Sequence, residues 1–175
     1  TQVIEQSEAS VVSVARIRSQ PADLTVDGGG LLQRDAGPQG GRQIDVLPNQ
    51  FATGVILAPE QGDERWVLTA YHAVRGGPIF GLPGSGDGSR LEVRLSTRHV
   101  MAAALWAADP RSDLAVLKVD FKDSGLRPAD LRPLPWTSSA PVRKGQLVIV
   151  LGNPYWIARD GSASAGWGMV TGATA

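Results

Sequence analysis

The amino-acid sequence predicts an all-β fold, and three observations carry that expectation. Short apolar runs rich in Val, Ile and Leu recur along the 175 residues, several of them with the period of two that marks a half-buried strand. Between them lie segments dense in Gly and Pro, which number 21 and 12 and punctuate chains of short strands. Helical spacing is confined to one brief stretch at the start.

Taken in order, Gln2 to Ser10 places Val3, Ile4 and Ala9 on one side of a short amphipathic helix. Val11 to Ile17 (VVSVARI) is dominated by β-branched residues and reads as a strand, with Ser13 and Arg16 interrupting its apolar run. From Gln20 to Gln50 the composition shifts to Gly, Pro, Asp, Gln and Arg, including Gly28-Gly29-Gly30, and no periodicity survives. That is the pattern of a long surface loop. Phe51 to Ala58 and Trp66 to Thr69 then form a hairpin around the polar turn Pro59 to Arg65, and His72 follows on a helical turn closed by Gly76-Gly77.

Gly81 to Ser89 is a second turn-rich loop, and Leu91 to Leu95 alternates strictly. Val100 to Ala108 reads as a strand whose small residues Ala102 to Ala104 imply close packing, although a short helix also satisfies that composition. A turn at Asp109 to Ser112 leads into a strand from Asp113 to Val119. Pro128, Pro133, Pro135 and Pro141 exclude long regular elements between Asp120 and Lys144. Gln146 to Leu151 is fully apolar and reads as a buried strand between Gly145 and Gly152, and Gly166 to Thr171 begins one more. The sum is about eight short strands, which is an all-β pattern.

Charge and composition narrow the function classes. Lys plus Arg and Asp plus Glu both number 17, so no long-range field favours nucleic acid or an anionic membrane. The absence of cysteine removes disulfides, thiol nucleophiles and Cys-based zinc sites together. Apolar runs reach about 5 to 7 residues against the roughly 18 that span a bilayer, so no membrane span is expected. No signal-peptide pattern is visible, and a first residue that is Thr rather than Met suggests an excerpt or a processed product. The two histidines, His72 and His99, have no acid pattern around them, so neither a metal nor another cofactor is expected.

His72 stands just past a buried strand, where a rigid scaffold holds a side chain that can still face a cleft. Asp113 opens a later strand after a turn. A carboxylate that fixes an imidazole's tautomer must sit partly buried beside it, and a strand start can provide this. The two are therefore a candidate histidine base and orienting acid. The plainer alternatives are that Asp113 caps the preceding turn, with Asp109 its competitor, and that His99 is a solvated strand residue.

At this point the residues match a known family. TAYHAV at Thr69 to Val74, preceded by ATGVILAP and followed by DPRSDLAVLKVD at Asp109 to Asp120, resembles the chymotrypsin-like serine proteases, most of all the HtrA or Do-type branch. KGQLVIVLGNP at Lys144 to Pro154 resembles that branch's strand and GNP turn, Gly168-Met169-Val170-Thr171 its Gly-Ile-Val-Ser strand, and SEASVVSV its N-terminal segment. The resemblance covers most of the chain outside residues 20 to 50. It implies a chymotrypsin-like double β-barrel: a nearly complete first barrel over 1–135, and the truncated start of a second over 136–175.

The same resemblance implies a serine endopeptidase acting on unfolded polypeptides in the periplasm or another extracytoplasmic compartment, with His72 as base and Asp113 as orienting acid. The nucleophilic serine, which this family carries in a Gly-Asn-Ser-Gly-Gly-type turn downstream of the Gly-Ile-Val-Ser strand, is expected beyond Ala175. Ser162 and Ser164 lack the flanking glycines of a hydrolase elbow and read as turn residues. A catalytically inactive protease-like domain that binds peptides or scaffolds an assembly is the alternative. Trp66, Trp106, Trp136, Trp156 and Trp167 are assigned to core and barrel-junction packing, except that Tyr155-Trp156 is placed to meet peptide or a neighbouring copy in a homo-oligomer. Tyr71 departs from the family, where Asn or Ala commonly precedes the histidine.

Overall fold

A computed structural model describes residues 2–18, 50–58, 65–121, 124–135, 141–153 and 162–172. Six strands alternate inward and outward side chains and close into one antiparallel barrel: β1 (Val11–Arg18), β2 (Gln50–Leu57), β3 (Trp66–Ala70), β4 (Ser89–Arg94), β5 (Val100–Asp109) and β6 (Leu114–Val119). Their spatial order is β1-β2-β3-β6-β5-β4, and the pairing of β1 with β4 seals the ring. Closure leaves no free edge within it. The expected all-β class is what the structure has: one closed six-stranded barrel and, among the described residues, a second sheet of two strands.

The core follows from the period of two. Val12 and Val14 of β1, Ile56 of β2, Val67 of β3, Leu91 and Val93 of β4, Met101 of β5 and Leu117 of β6 all point inward and are buried. Each such side chain contributes about 1.5–3 kcal/mol relative to exposure. Leu131, after a 3-10 turn at Pro128–Asp130, packs into the same cluster. Strand β1 is buried on both faces, because Ser13 on its other side is covered too.

That cover comes from a second, two-stranded sheet, β7 (Leu147–Gly152) and β8 (Ser164–Met169), paired with Ile149 opposite Trp167. The barrel is clasped by Asn153, the residue after β7. Asn153, almost fully buried, donates from Nδ2 to Ser13 Oγ at 2.8 Å, and its N–H donates to Thr53 Oγ1 at 3.0 Å. Thr53 in turn accepts a hydrogen bond at its carbonyl from Thr69 Oγ1, 2.9 Å away.

The expected helix forms as α1 (Gln2–Glu8), with Val3 exposed. Three expectations need correction. Strand β7 is not buried: Leu147, Ile149 and Val150 are exposed, since among the described residues its sheet has two strands and nothing covers its outer face. Trp106 and Trp167 are exposed rather than in the core. Trp167 lies on that open sheet, and Trp106 is the extra residue of a bulge where the β5–β6 register jumps from Leu105 to Ala107, which turns it outward against Phe80. His99 is exposed as expected but precedes β5 in a turn, with Nδ1 3.0 Å from Thr97 Oγ1. The expected loop over residues 20 to 50, most of the turn at Pro59 to Arg65, Trp136 and Tyr155-Trp156 lie largely outside the described residues.

Candidate active site

Strand β3 ends at Ala70 and passes directly into a single helical turn, α2 (Tyr71–Val74). Ala73 and Val74 drive that turn against the barrel and are buried, which leaves His72 on the outward side. Gly76 stops it at φ +84°, a left-handed conformation that an L side chain rarely adopts, with Arg16 and Asp87 packed close beside its Cα. Gln50, at the start of β2, braces the turn from the other side. With its amide nitrogen facing inward, it donates to the carbonyls of His72 at 3.0 Å and Ala73 at 3.2 Å.

Asp113 reaches the same place from β6. The β3–β6 ladder ends with Ala70 opposite Leu114, so Asp113 is the next residue rather than the first of the strand, as the sequence had suggested. Its φ is +55°, a left-handed state that aspartate tolerates better than most residues. The turn before it is tied by Asp109, whose carboxylate accepts from Arg111 N–H at 3.0 Å and Ser112 Oγ at 2.7 Å. Asp109 is therefore the turn residue.

Three hydrogen bonds then join Asp113 to the helical turn. Its carbonyl accepts from Tyr71 N–H at 3.0 Å. Its carboxylate accepts from His72 N–H through Oδ1 at 2.9 Å, and Oδ2 lies 2.7 Å from His72 Nδ1. Donation from the His72 ring, and after it from the His72 N–H, holds the Asp113 carboxyl below the ordinary carboxylate value. An ionised carboxylate at Nδ1 favours the tautomer with the proton on Nδ1 and the lone pair on Nε2. Nε2 makes no hydrogen bond among the described residues.

The pair is more open than the sequence reading supposed. The His72 and Asp113 side chains are 69% and 50% exposed, because they stand on the rim of the barrel. Water therefore screens their attraction, and orientation rather than ion-pair energy is what the clasp supplies. Tyr71, half-buried, packs its ring against the core cluster beneath the turn.

A cluster that the sequence did not single out lies beside His72. Arg16 is buried and ion-paired with Asp87, donating also from Nε to Ser89 Oγ at 3.0 Å, and Arg18 lies 3.2 Å from the same Asp87 carboxylate. Hydrogen bonding from Ser89, then the Arg16 guanidinium, lowers the Asp87 carboxyl far below its usual range. Only a charged residue in an apolar run hinted at this. Its partner lies 71 positions away, and nothing local marks it.

The barrel and the clasped histidine define a protein of the trypsin-like type. The chain matches the family model of the trypsin-like peptidase domain over residues 52–175 and belongs to that family, in its HtrA/DegP branch. A probable periplasmic serine endoprotease, DegP-like, of Pseudomonas fluorescens is 27% identical over 173 residues, covering 89% of this chain and 31% of that protein. The mitochondrial serine protease HTRA2 of Bos taurus is 35% identical over 118 residues, 67% of this chain and 20% of that protein. The crystal structure of the serine endoprotease from Yersinia pestis superposes with a TM-score of 0.62 at 20% identity, covering 98% of this chain and 43% of that one, and agrees in fold. The chain thus spans about a third or less of the length of these curated relatives.

Proposed function

We propose that the protein carrying this chain is a serine endopeptidase that cuts unfolded polypeptides in an extracytoplasmic compartment, with His72 as general base and Asp113 as its orienting acid. One observation supports the reading above the others: Asp113 grips both the ring Nδ1 and the backbone N–H of His72, leaving Nε2 outward and able to take a proton. The attacking hydroxyl belongs to a serine outside the described residues. As its oxygen adds to the scissile carbonyl, its proton passes to Nε2, and the imidazolium then protonates the departing amine. Asp113 stays ionised throughout and stabilises that imidazolium. The named relatives are serine proteases, and the Pseudomonas one is described as periplasmic, which adds to the case.

The test uses the full-length protein with casein unfolded by reduction, together with a fluorophosphonate that labels activated serines. The wild type should cut and be labelled. His72→Ala should abolish both, and Asp113→Asn should lower kcat by about 10⁴, the magnitude known for this substitution in the serine-protease template. Both side chains are exposed, so melting temperatures should fall only slightly and the fold be kept. Unlabelled wild-type protein, or Asp113→Asn hydrolysis at the wild-type rate, would overturn the proposal and favour a peptide-binding domain.

A further inference from the structure

Helix α2 is one turn of four residues, too short to be stable through its own bonds. Each of its carbonyls is nevertheless engaged. That of Tyr71 accepts from Arg75 N–H at 2.9 Å and that of Val74 from Gly77 N–H at 3.0 Å. Those of His72 and Ala73 lie 3.0 and 3.2 Å from the side-chain amide nitrogen of Gln50, which can give one N–H to each. Turned over, the amide would set its oxygen against both carbonyl oxygens in exchange for one long contact, 3.4 Å, with Arg16 Nη1. Two well-placed bonds outweigh it.

Gln50 thereby completes a pair of grips on the backbone of His72. The peptide unit before His72 is held through its N–H by Asp113 Oδ1 at 2.9 Å, and the unit after it through its C=O by Gln50. Together they fix the two soft dihedrals of His72. The grips come from different parts of the barrel, Asp113 standing just before β6 and Gln50 opening β2, where it pairs in register with Arg16 of β1. A ring that is 69% exposed takes its aim from the backbone that carries it as well as from its one carboxylate. We infer that Gln50 is a positioning residue for His72: by holding the carbonyls of His72 and Ala73 it sets the tilt at which Nδ1 meets Asp113 Oδ2, 2.7 Å away. Without the amide, the peptide unit after His72 is free to turn toward water, the Nδ1 contact loosens, and the imidazole divides between its two neutral tautomers. The service of this aim to catalysis rests on the peptidase reading, whereas the aim itself rests on the contacts.

The test uses the full-length protein with nitrogen-15 histidine and two substitutions of similar length at this exposed position. Gln50→Met removes the donors, and Gln50→Glu sets acceptors against the two carbonyls. The nitrogen shifts of the His72 ring, assigned with His72→Gln, report its tautomer at about pH 8, where a free imidazole is neutral. The wild type should hold the Nδ1–H form, and both variants should move toward the Nε2–H form while the fold is kept. On unfolded casein the same variants should lower kcat about 10- to 100-fold with KM changed by less than about twofold, the scale on which a misplaced catalytic group costs rate. A residue that only stabilised the fold would reduce the folded fraction and leave the ring of the folded protein as it was. An unchanged tautomer in both variants overturns the inference, and so does wild-type kcat in both variants of a protein that cleaves. A tautomer shift in a protein whose wild type cuts nothing upholds the positioning and removes the peptidase. Wild-type cleavage with a ring that neither substitution disturbs removes the positioning and leaves the peptidase standing.

Discussion

Replacing Gly54 with alanine should damage the protein more than any other single methyl group added to its strands. Gly54 lies in the middle of β2, opposite Val12 in β1 and Thr69 in β3. A Cβ there would stand 2.5 Å from Val67 Cγ1 and 2.9 Å from both Val12 Cγ2 and Val14 Cγ2. Carbon atoms pack at about 3.5–4.0 Å, so the nearest contact is too short by about 1 Å. The three valines are at most 1% exposed and, being β-branched, have few alternative rotamers. Overpacking typically costs about 1–3 kcal/mol, and with three rigid neighbours Gly54→Ala belongs at the upper end, about 3 kcal/mol. Urea titration gives the value from the midpoint and slope. Val67→Ala removes the closest methyl and should itself cost about 2 kcal/mol through the cavity it leaves. Combined, the two should cost about 1–2 kcal/mol less than their sum, since one relieves the other. A loss below about 0.5 kcal/mol for Gly54→Ala, or strict additivity in the pair, would refute the packing argument.

Two further predictions concern the clasps. Asn153→Ala leaves Ser13 Oγ without its buried donor and should destabilise the docked second sheet by about 1–3 kcal/mol, seen as faster hydrogen exchange in β7 with barrel protection unchanged. Uniform acceleration across both sheets would refute it. The Asp113 carboxyl titrates below its ordinary value of 3.8, and a depressed pKa stabilises the fold above the unfolded value and loses that contribution as pH falls through the folded one. The stability difference between wild type and Asp113→Asn should therefore be flat above about pH 5 and shrink toward zero as the pH drops below 3.8. A difference that grows on acidification would contradict the hydrogen-bonding pattern.

Local chemistry made much of this legible. Leu91 and Val93 alternate with charged residues, so β4 could be read from its sequence alone, and the glycines after Val74 ended the helical turn that carries His72. What could not be read were features set by distant partners. Hydrophobicity says that β7 needs cover, not whether anything supplies it, and Leu147 is accordingly exposed. Trp106 belongs to a bulge that exists only because β6 is one residue short opposite it. Asp113 looked like a strand start, and the left-handed twist that aims its carboxylate became apparent only with β3 alongside. Arg16 looked like an interruption, while its meaning lay in Asp87.

The way the barrel seals has a consequence for how the protein is made. Strand β1 emerges early, yet its second neighbour, β4, ends at Arg94. At about 5–20 residues per second, translation leaves β1 waiting roughly 4–15 s for that partner. During this interval the edge of Val11-Val12-Ser13-Val14 that β4 will cover stays unpaired even after β2 has joined the other side, and a β-prone apolar stretch with an open edge is the kind that aggregates. Arg16 then serves the nascent chain as a gatekeeper charge, and Asp87, two residues before β4 begins, pairs with it as that edge is covered.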